Sequence, residues 1–484
     1  MKILISGYFG LFPVGRHAIS FLGCLLKNPE NEVYINTDFI TDDARHVFDL
    51  FFKKEFEKGF VHMSSEKPED FVYDFNVFPS PLPPIGIAWT DLDKFNKRKA
   101  KTKVCYPVFD GSVPLLEWID VINRDFDLCL SPSGYCTHNL KRHGVTIPCF
   151  ELECSVLMDD MLEIQPQYNP GRKYRFGCIS ANETRKNLPF LIKAFSASFS
   201  KDDNVELYVH SIQRPDVICT DELLTKTWEE CEKRSNIILE KGFKNHQQML
   251  DLWKTFDAYI CPQSVTGYFT TPAEAMACGI PCILSDIPVH RELTKYLPEK
   301  NNLFYVEHKY IATFYHGVFC YRNLGVKFDS EEEKYAQKLK DVYSFREKLL
   351  TPELIKQRKE NIKALTISGL SKKYNDVFHS DAKKAIICRE PIFQEEDSPV
   401  FQSIEKAAIE SQKIYIECTK IANSVASASA TEPDLDIEQK YMAKIDKKVK
   451  KYNALSFLHF LSIQLSLYCN IKRLIIGRNK KIRF

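Results

Sequence analysis

No run of about 20 uninterrupted apolar residues occurs in this sequence, so it offers no clear membrane span. Charge of one sign is also scarce. The formal net charge of the 484 residues is +2, which removes any global pull toward nucleic acid or an acidic partner and leaves electrostatics to be a local matter. None of the 16 cysteines forms a C-x-x-C pair. Most sit inside apolar runs such as DLCLS (127–131) and PCILS (281–285), where a reduced thiol behaves as a small hydrophobe, so a reducing, cytosolic compartment is expected. The glycines near residue 7 do not spell G-x-G-x-x-G, which argues against a dinucleotide dehydrogenase. The opening MKILISGYFGLFPVGRHAISFLGCLL places Lys2 before apolar residues, as a signal peptide would. Gly7, Gly10, Pro13, Gly15 and Arg16 interrupt that stretch too early, and the expected reading is strand, glycine loop, helix.

What the chain does contain is apolar material, 44% hydrophobic with 34 Phe and 22 Tyr, enough for the two or three domains its length suggests. Short apolar runs alternate with helical patterns to about residue 380, the signature of parallel α/β units. KILIS, DLCLS and IPCFEL read as strands of one series, with HAISFLGCLL as a helix; RFGCIS, VELYVH, DAYICP and IPCILS read as strands of a second. Two series imply two sheets, joined near MLEIQPQYNPGRKY (161–174), where Pro, Asn and Gly replace the periodic pattern. FDLCLSPS (126–133) and FDAYICPQS (256–264) echo each other, either as traces of similarly built halves or as two strands that end in the same kind of turn. Past 380 the composition shifts to an amphipathic helical stretch and then a basic section. Eleven Lys or Arg lie between Lys444 and Arg483 against Asp446 alone, bracketing ALSFLHFLSIQLSLYCNI. Such a segment suits the interface of an anionic membrane, or else packs on the protein's own body with solvated charges at its ends.

Two helix starts are candidates for chemistry. In RFGCISANETRKNLPFLIKAFSASF, Arg185 and Lys186 precede a helix capped by Asn187, where the helix dipole is already positive. Two cations there either bind an anion or form a solvated basic turn. In TGYFTTPAEAMACGIPCILS (266–285), Thr271 is the expected N-cap, Pro272 suits the first turn and Gly279 the position just past the end. Glu274 then completes a capping box with Thr271, or accepts hydrogen bonds from a pair of sugar hydroxyls. His17 and His138 are expected to be surface residues. DLD at Asp91 to Asp93 mimics a metal-binding Asp-x-Asp, but it recurs at Asp434 to Asp436 and is ascribed to chance.

The stretch DAYICPQSVTGYFTTPAEAMACGIPCILSDIPVHREL, with ETRKNLPFLIKAF upstream, resembles the nucleotide-binding half of retaining glycosyltransferases of the GT-B fold, family four. The likeness is clear over about 175–295 and weaker over 1–165. It implies an α/β protein of two Rossmann-like domains facing across a cleft. An N-terminal acceptor domain would cover 1–165 and a nucleotide-sugar domain 166–365; a helix over 366–380 would return to the first domain, and 381–484 would form a helical, basic extension. Arg185 and Lys186 would hold the donor diphosphate and Glu274 the ribose. Thr266, Gly267, Tyr268, Phe269, Thr270 and Thr271 would lie beside donor sugar and phosphates. GYFGLFPVG, with Gly10 and Gly15, occupies the place of the family's glycine-rich loop, and VFDGSVPLLEW marks Asp110 as a cleft residue grouped with Arg185 and Lys186 as catalytic. The family's first glutamate, with seven residues between it and the second, aligns with Thr266, a departure that leaves open a catalytically silent sugar-nucleotide-binding subunit. The implied activity moves a sugar from a UDP- or GDP-sugar to a glycan or lipid-linked acceptor with retention, in surface polysaccharide or glycoconjugate synthesis. No essential metal or cofactor and no nucleic-acid partner is expected. The chain would be cytoplasmic, peripheral on the membrane's cytoplasmic face, and the tail helix offers a route to oligomers.

Overall fold

The computed structural model describes the chain except residues 11–12, 41, 83–90, 157–158, 168, 170, 182, 213–228, 230–233, 316–321, 380–397 and 429–484. The basic terminal section, its apolar stretch and Asp434 to Asp436 therefore lie outside the described residues.

Short runs of β-branched and aromatic residues form two all-parallel sheets. The first joins β1 (Lys2–Ile5), β2 (Glu32–Ile35), β3 (Val61–Met63), β4 (Tyr73–Phe78), β5 (Ala100–Cys105), β6 (Leu128–Ser131) and β7 (Cys149–Glu151) in the order β3-β2-β1-β4-β5-β6-β7. The second joins β8 (Tyr174–Ala181), β9 (Val205–Ile212), β10 (Ile237–Lys241), β11 (Ala258–Cys261), β12 (Cys282–Ser285) and β13 (Leu303–Val306) in the order β10-β9-β8-β11-β12-β13. Helices cover both faces of such sheets, which is why the strands read as continuous apolar runs without alternation. Ile3, Leu4 and Ile5 of β1, and every residue of β11 and β12, are buried. The sequence echo finds no structural counterpart: β11 borders the first strand of its sheet, whereas β6 is separated from β1 by β4 and β5. The two sheets do share one order, third, second, first, fourth, fifth and sixth strand, but the echoing strands hold non-equivalent places in it.

The helices that matter below are α1 (Pro13–Leu25), α2 (Leu116–Asp125), α3 (Gly134–Arg142), α4 (Leu188–Ser198), α5 (Thr270–Ala277), α6 (Ile367–His379) and α7 (Pro399–Ala428). Helix α1 begins four residues earlier than its apolar run suggests, so Gly15 and Arg16 belong to its first turn. Helix α6 packs back on α1: Phe21 meets Tyr374 edge-on at 5.0 Å, and the Tyr374 hydroxyl lies 3.0 Å from Ser20 Oγ. One feature has no precursor in the sequence pattern, an antiparallel hairpin of β14 (His308–Tyr315) and β15 (Arg322–Ser330) outside both sheets. Among the described residues no helix is long and apolar enough to cross a membrane.

Candidate active site in the interdomain cleft

In the second sheet strand order reverses between β8 and β11, because β9 and β10 extend to one side of β8 and β11 to the other. Loops leaving the C-terminal ends of two such strands diverge, and the crevice between them is where open parallel sheets bind ligands. The loop after β8 carries Glu183, Arg185 and Lys186; the loop after β11 carries Gln263 through Phe269. The two are tied together, since Ser264 N–H donates to Arg185 O at 2.9 Å.

Arg185 and Lys186 diverge in role. Arg185 Nε stands between two carboxylates, 3.1 Å from Asp110 Oδ2 and 3.0 Å from Glu183 Oε2. Lys186 Nζ donates to Gln263 Oε1 at 2.9 Å. Burial, reinforced by the Arg185 guanidinium, pulls Lys186 down to about 8. Asn187 does not cap α4 with its side chain as expected; it takes a left-handed backbone (φ 52°) and its amide reaches Asp329 Oδ1 at 3.4 Å. Asparagine tolerates that conformation, so its use here is to turn the chain sharply into the helix.

The capping box expected at α5 does not form. The helix starts at Thr270, Phe269 precedes it, and no side chain caps it. Thr271 is therefore inside the first turn, and buried Glu274 is freed from capping to form an ion pair with Arg16 Nη1 of the other domain. Gly279 does take the position past the helix end, at φ 79°. Upstream, Thr266 Oγ1 donates to Tyr268 O at 2.8 Å and closes a tight turn. Tyr268 OH donates to Cys154 O at 2.7 Å, with its ring against Phe269 at 4.3 Å. Thr270 and Thr271 are half-buried at the cleft side of α5.

The N-terminal domain closes over this loop. Gly267 N–H donates to Asp110 Oδ1 at 3.0 Å and its carbonyl accepts from Ser133 Oγ at 2.8 Å. A Cβ on Gly267 would lie 2.6 Å from Phe109 O. A carboxylate thus does stand beside Thr266, supplied by Asp110 from across the cleft. Gly10 and Gly15 pack on each other: a Cβ on Gly15 would lie 2.3 Å from Gly10 N, and this approach sets the start of α1 and the direction of Arg16. His17 is buried, not on the surface; it meets Tyr106 edge-on at 5.3 Å and is held neutral, its pKa lowered to about 3 by burial and by Arg16. His138 is half-buried on α3. Asp91 caps a short helix by accepting from Asp93 N–H and Lys94 N–H, which accounts for that DLD without a metal.

The structure thus joins Asp110, Glu183, Arg185 and Gly267 directly, sets Lys186 on Gln263 of the paired loop, and places Glu274, paired with Arg16, on the helix that follows the Thr266 turn. Arg16 had one sequence signal, a cation at the head of an otherwise apolar helix. Glu183 and Gln263 had only their positions at strand ends. Three cations face three carboxylates, a balanced set that an incoming diphosphate would disturb by drawing the cations to itself.

Residues 173–317 match the model of a family described as Glycosyl transferases group 1. A search of curated protein sequences finds no match. Among solved structures, Anabaena HepE in complex with UDP-glucose is similar at 12% identity, covering 78% of this chain and 99% of that one with a TM-score of 0.54. A glycosyltransferase from Rickettsia africae is similar at 12% identity, covering 79% and 98% with a TM-score of 0.53. Staphylococcus aureus TarM aligns at 13% identity and a TM-score of 0.47 over 63% of this chain, which spans 55% of the TarM chain. The arrangement of two Rossmann-like domains facing across a cleft is the GT-B architecture.

Proposed function

We propose that this chain is a glycosyltransferase that moves a sugar from a UDP- or GDP-sugar to a glycan or lipid-linked acceptor, with retention of configuration, in surface polysaccharide or glycoconjugate synthesis. The observation that carries the reading is the convergence of Arg185, Lys186 and Glu274 at the strand-order reversal of the segment that matches the family model. In this reading the ribose hydroxyls take Arg16's place on Glu274. The diphosphate draws Lys186 from Gln263 and Arg185 from its carboxylates. Asp110, released from Arg185, faces the sugar in the place where Thr266 offers no carboxylate. The acceptor oxygen bonds to the anomeric carbon as the bond to the diphosphate breaks. The electron pair goes to the leaving group, whose phosphate takes the acceptor's proton. Positioned cations stabilise the charge that develops there, the kind of assistance that dominates such steps.

No metal enters this scheme, so a chelator is expected to leave turnover intact. The basic tail supports a peripheral position on the cytoplasmic face of a membrane, where a lipid-linked acceptor would be met. Thr266 favours a second reading, a sugar-nucleotide-binding subunit without turnover. Both are tested by measuring nucleoside diphosphate release and thermal shift with UDP-, GDP- and ADP-sugars on the wild type and Glu274→Ala. Turnover by the wild type that falls in the variant at sub-saturating donor is the expected result; binding without turnover favours the second reading, and neither binding nor turnover overturns both.

A further inference from the structure

The hairpin β14–β15 belongs to neither sheet, and two antiparallel strands alone are marginally stable in water. It is held by α7, whose Phe401, with Ile404 beside it, packs against Val326 and Phe328 of β15 and against Val265 and Ile287 of the C-terminal domain. From there the pair reaches both walls of the cleft. Phe328 N–H donates to Ser264 O at 2.9 Å, next to the Thr266 turn. Val326 N–H donates to Ser112 Oγ at 3.1 Å, two residues from Asp110. Gly325, at φ 86°, lets the strand come so close that a Cβ would lie 2.3 Å from that hydroxyl oxygen.

Helix α7 secures the far end of the same loop. Leu115 precedes α2 and has no side chain able to cap it. Its missing acceptor comes from buried Gln412, whose Oε1 accepts from Leu116 N–H at 2.9 Å while Nε2 donates to Pro114 O at 3.3 Å. About two turns back along α7, Glu405 pairs with Arg142 of α3 at 2.5 Å. The segment from Asp110 to Leu116 is therefore gripped at Ser112 by the hairpin and at Pro114 and Leu116 by the helix.

We infer that the hairpin and α7 form a clasp that ties the two domains together and positions the Asp110 loop against the Thr266 loop, with Gln412 and Ser112 as positioning residues. This goes beyond the proposed reaction, and it can be read without turnover. The test is hydrogen exchange of the full chain by mass spectrometry. Gln412→Ala is expected to speed exchange about tenfold in peptides covering 106–118 and 262–269, with the sheet strands unchanged. Gln412→Glu keeps the acceptor for Leu116 N–H and is expected to restore protection at 106–118. Faster exchange confined to 322–330 and 399–428, or none anywhere, would overturn the clasp, since α7 would then only cover the hairpin. Should Gln412→Ala loosen the sheets as well, Arg142→Glu decides: it is expected to release the same two loops, and Glu405→Arg added to it to hold them again. Failure of that rescue also overturns the inference, whatever the donor assay shows.

Discussion

Lys186 is a cleft cation whose charge is readily lost, because burial and the adjacent guanidinium bring its pKa to about 8. A diphosphate requires the ammonium, so above that pH binding must first take up a proton. Donor affinity is expected to hold below pH 8 and to weaken by up to about tenfold for each unit above it. Lys186→Arg keeps the cation at any working pH and should flatten the profile, which calorimetric titration with donor from pH 7 to 10 would read. Glu274 makes a different prediction. If it accepts two hydroxyl hydrogen bonds, Glu274→Ala loses about 3 kcal/mol of donor binding, a KM raised about 100-fold. A KM within a few-fold of wild type would leave Glu274 as Arg16's structural partner alone.

At the scale of elements, the cleft loops depend on positions where a side chain has no room. Gly267→Ala places a Cβ against Phe109 O, a backbone atom that cannot swing aside, on a loop that must stay closed. An ångström of misplacement there is expected to lower kcat about 100-fold while the circular dichroism spectrum and melting temperature stay close to wild type. Gly279→Ala acts inside one domain: φ is 79° and the new Cβ would lie 2.7 Å from Ile355 Cγ2. It should cost about 1–2 kcal/mol of stability in urea unfolding. Gly279 was legible in the sequence because a helix end and its glycine are local, and the strands were legible because burial on both faces makes them continuously apolar. The start of α5 departs from its local pattern for a related reason. TPAE has the letters of a capping box, but Glu274 has a stronger partner in Arg16, 258 residues away, and no local pattern contains that contact. Asp110 beside Gly267, and Gln412 at the head of α2, were hidden in the same way.

For the molecule as a whole, the question is what holds two separately built domains at one angle. Glu292 of the second domain does so at a site distinct from the clasp: its carboxylate accepts from Gly134 N–H at 3.0 Å and Tyr135 N–H at 2.8 Å, at the start of α3 in the first domain. Lys295 bridges Glu292 to Glu151 of β7 at 2.9 and 2.8 Å. Burial raises the Glu292 pKa to about 7; the ammonium opposes the shift and Glu151 adds to it. The folded chain thus holds a proton on this group that the unfolded chain gives up near its ordinary value of 4.5. Stability from that proton is fully present below the unfolded value and is lost as pH rises through about 7. Glu292→Gln has no such proton to hold. The melting temperature of the wild type relative to Glu292→Gln is therefore expected to fall as pH rises from 5 to 8, by scanning calorimetry in matched ionic strength. A constant difference would mean that Lys295 keeps the carboxylate ionised throughout, and that the domain contact carries no pH dependence from this residue.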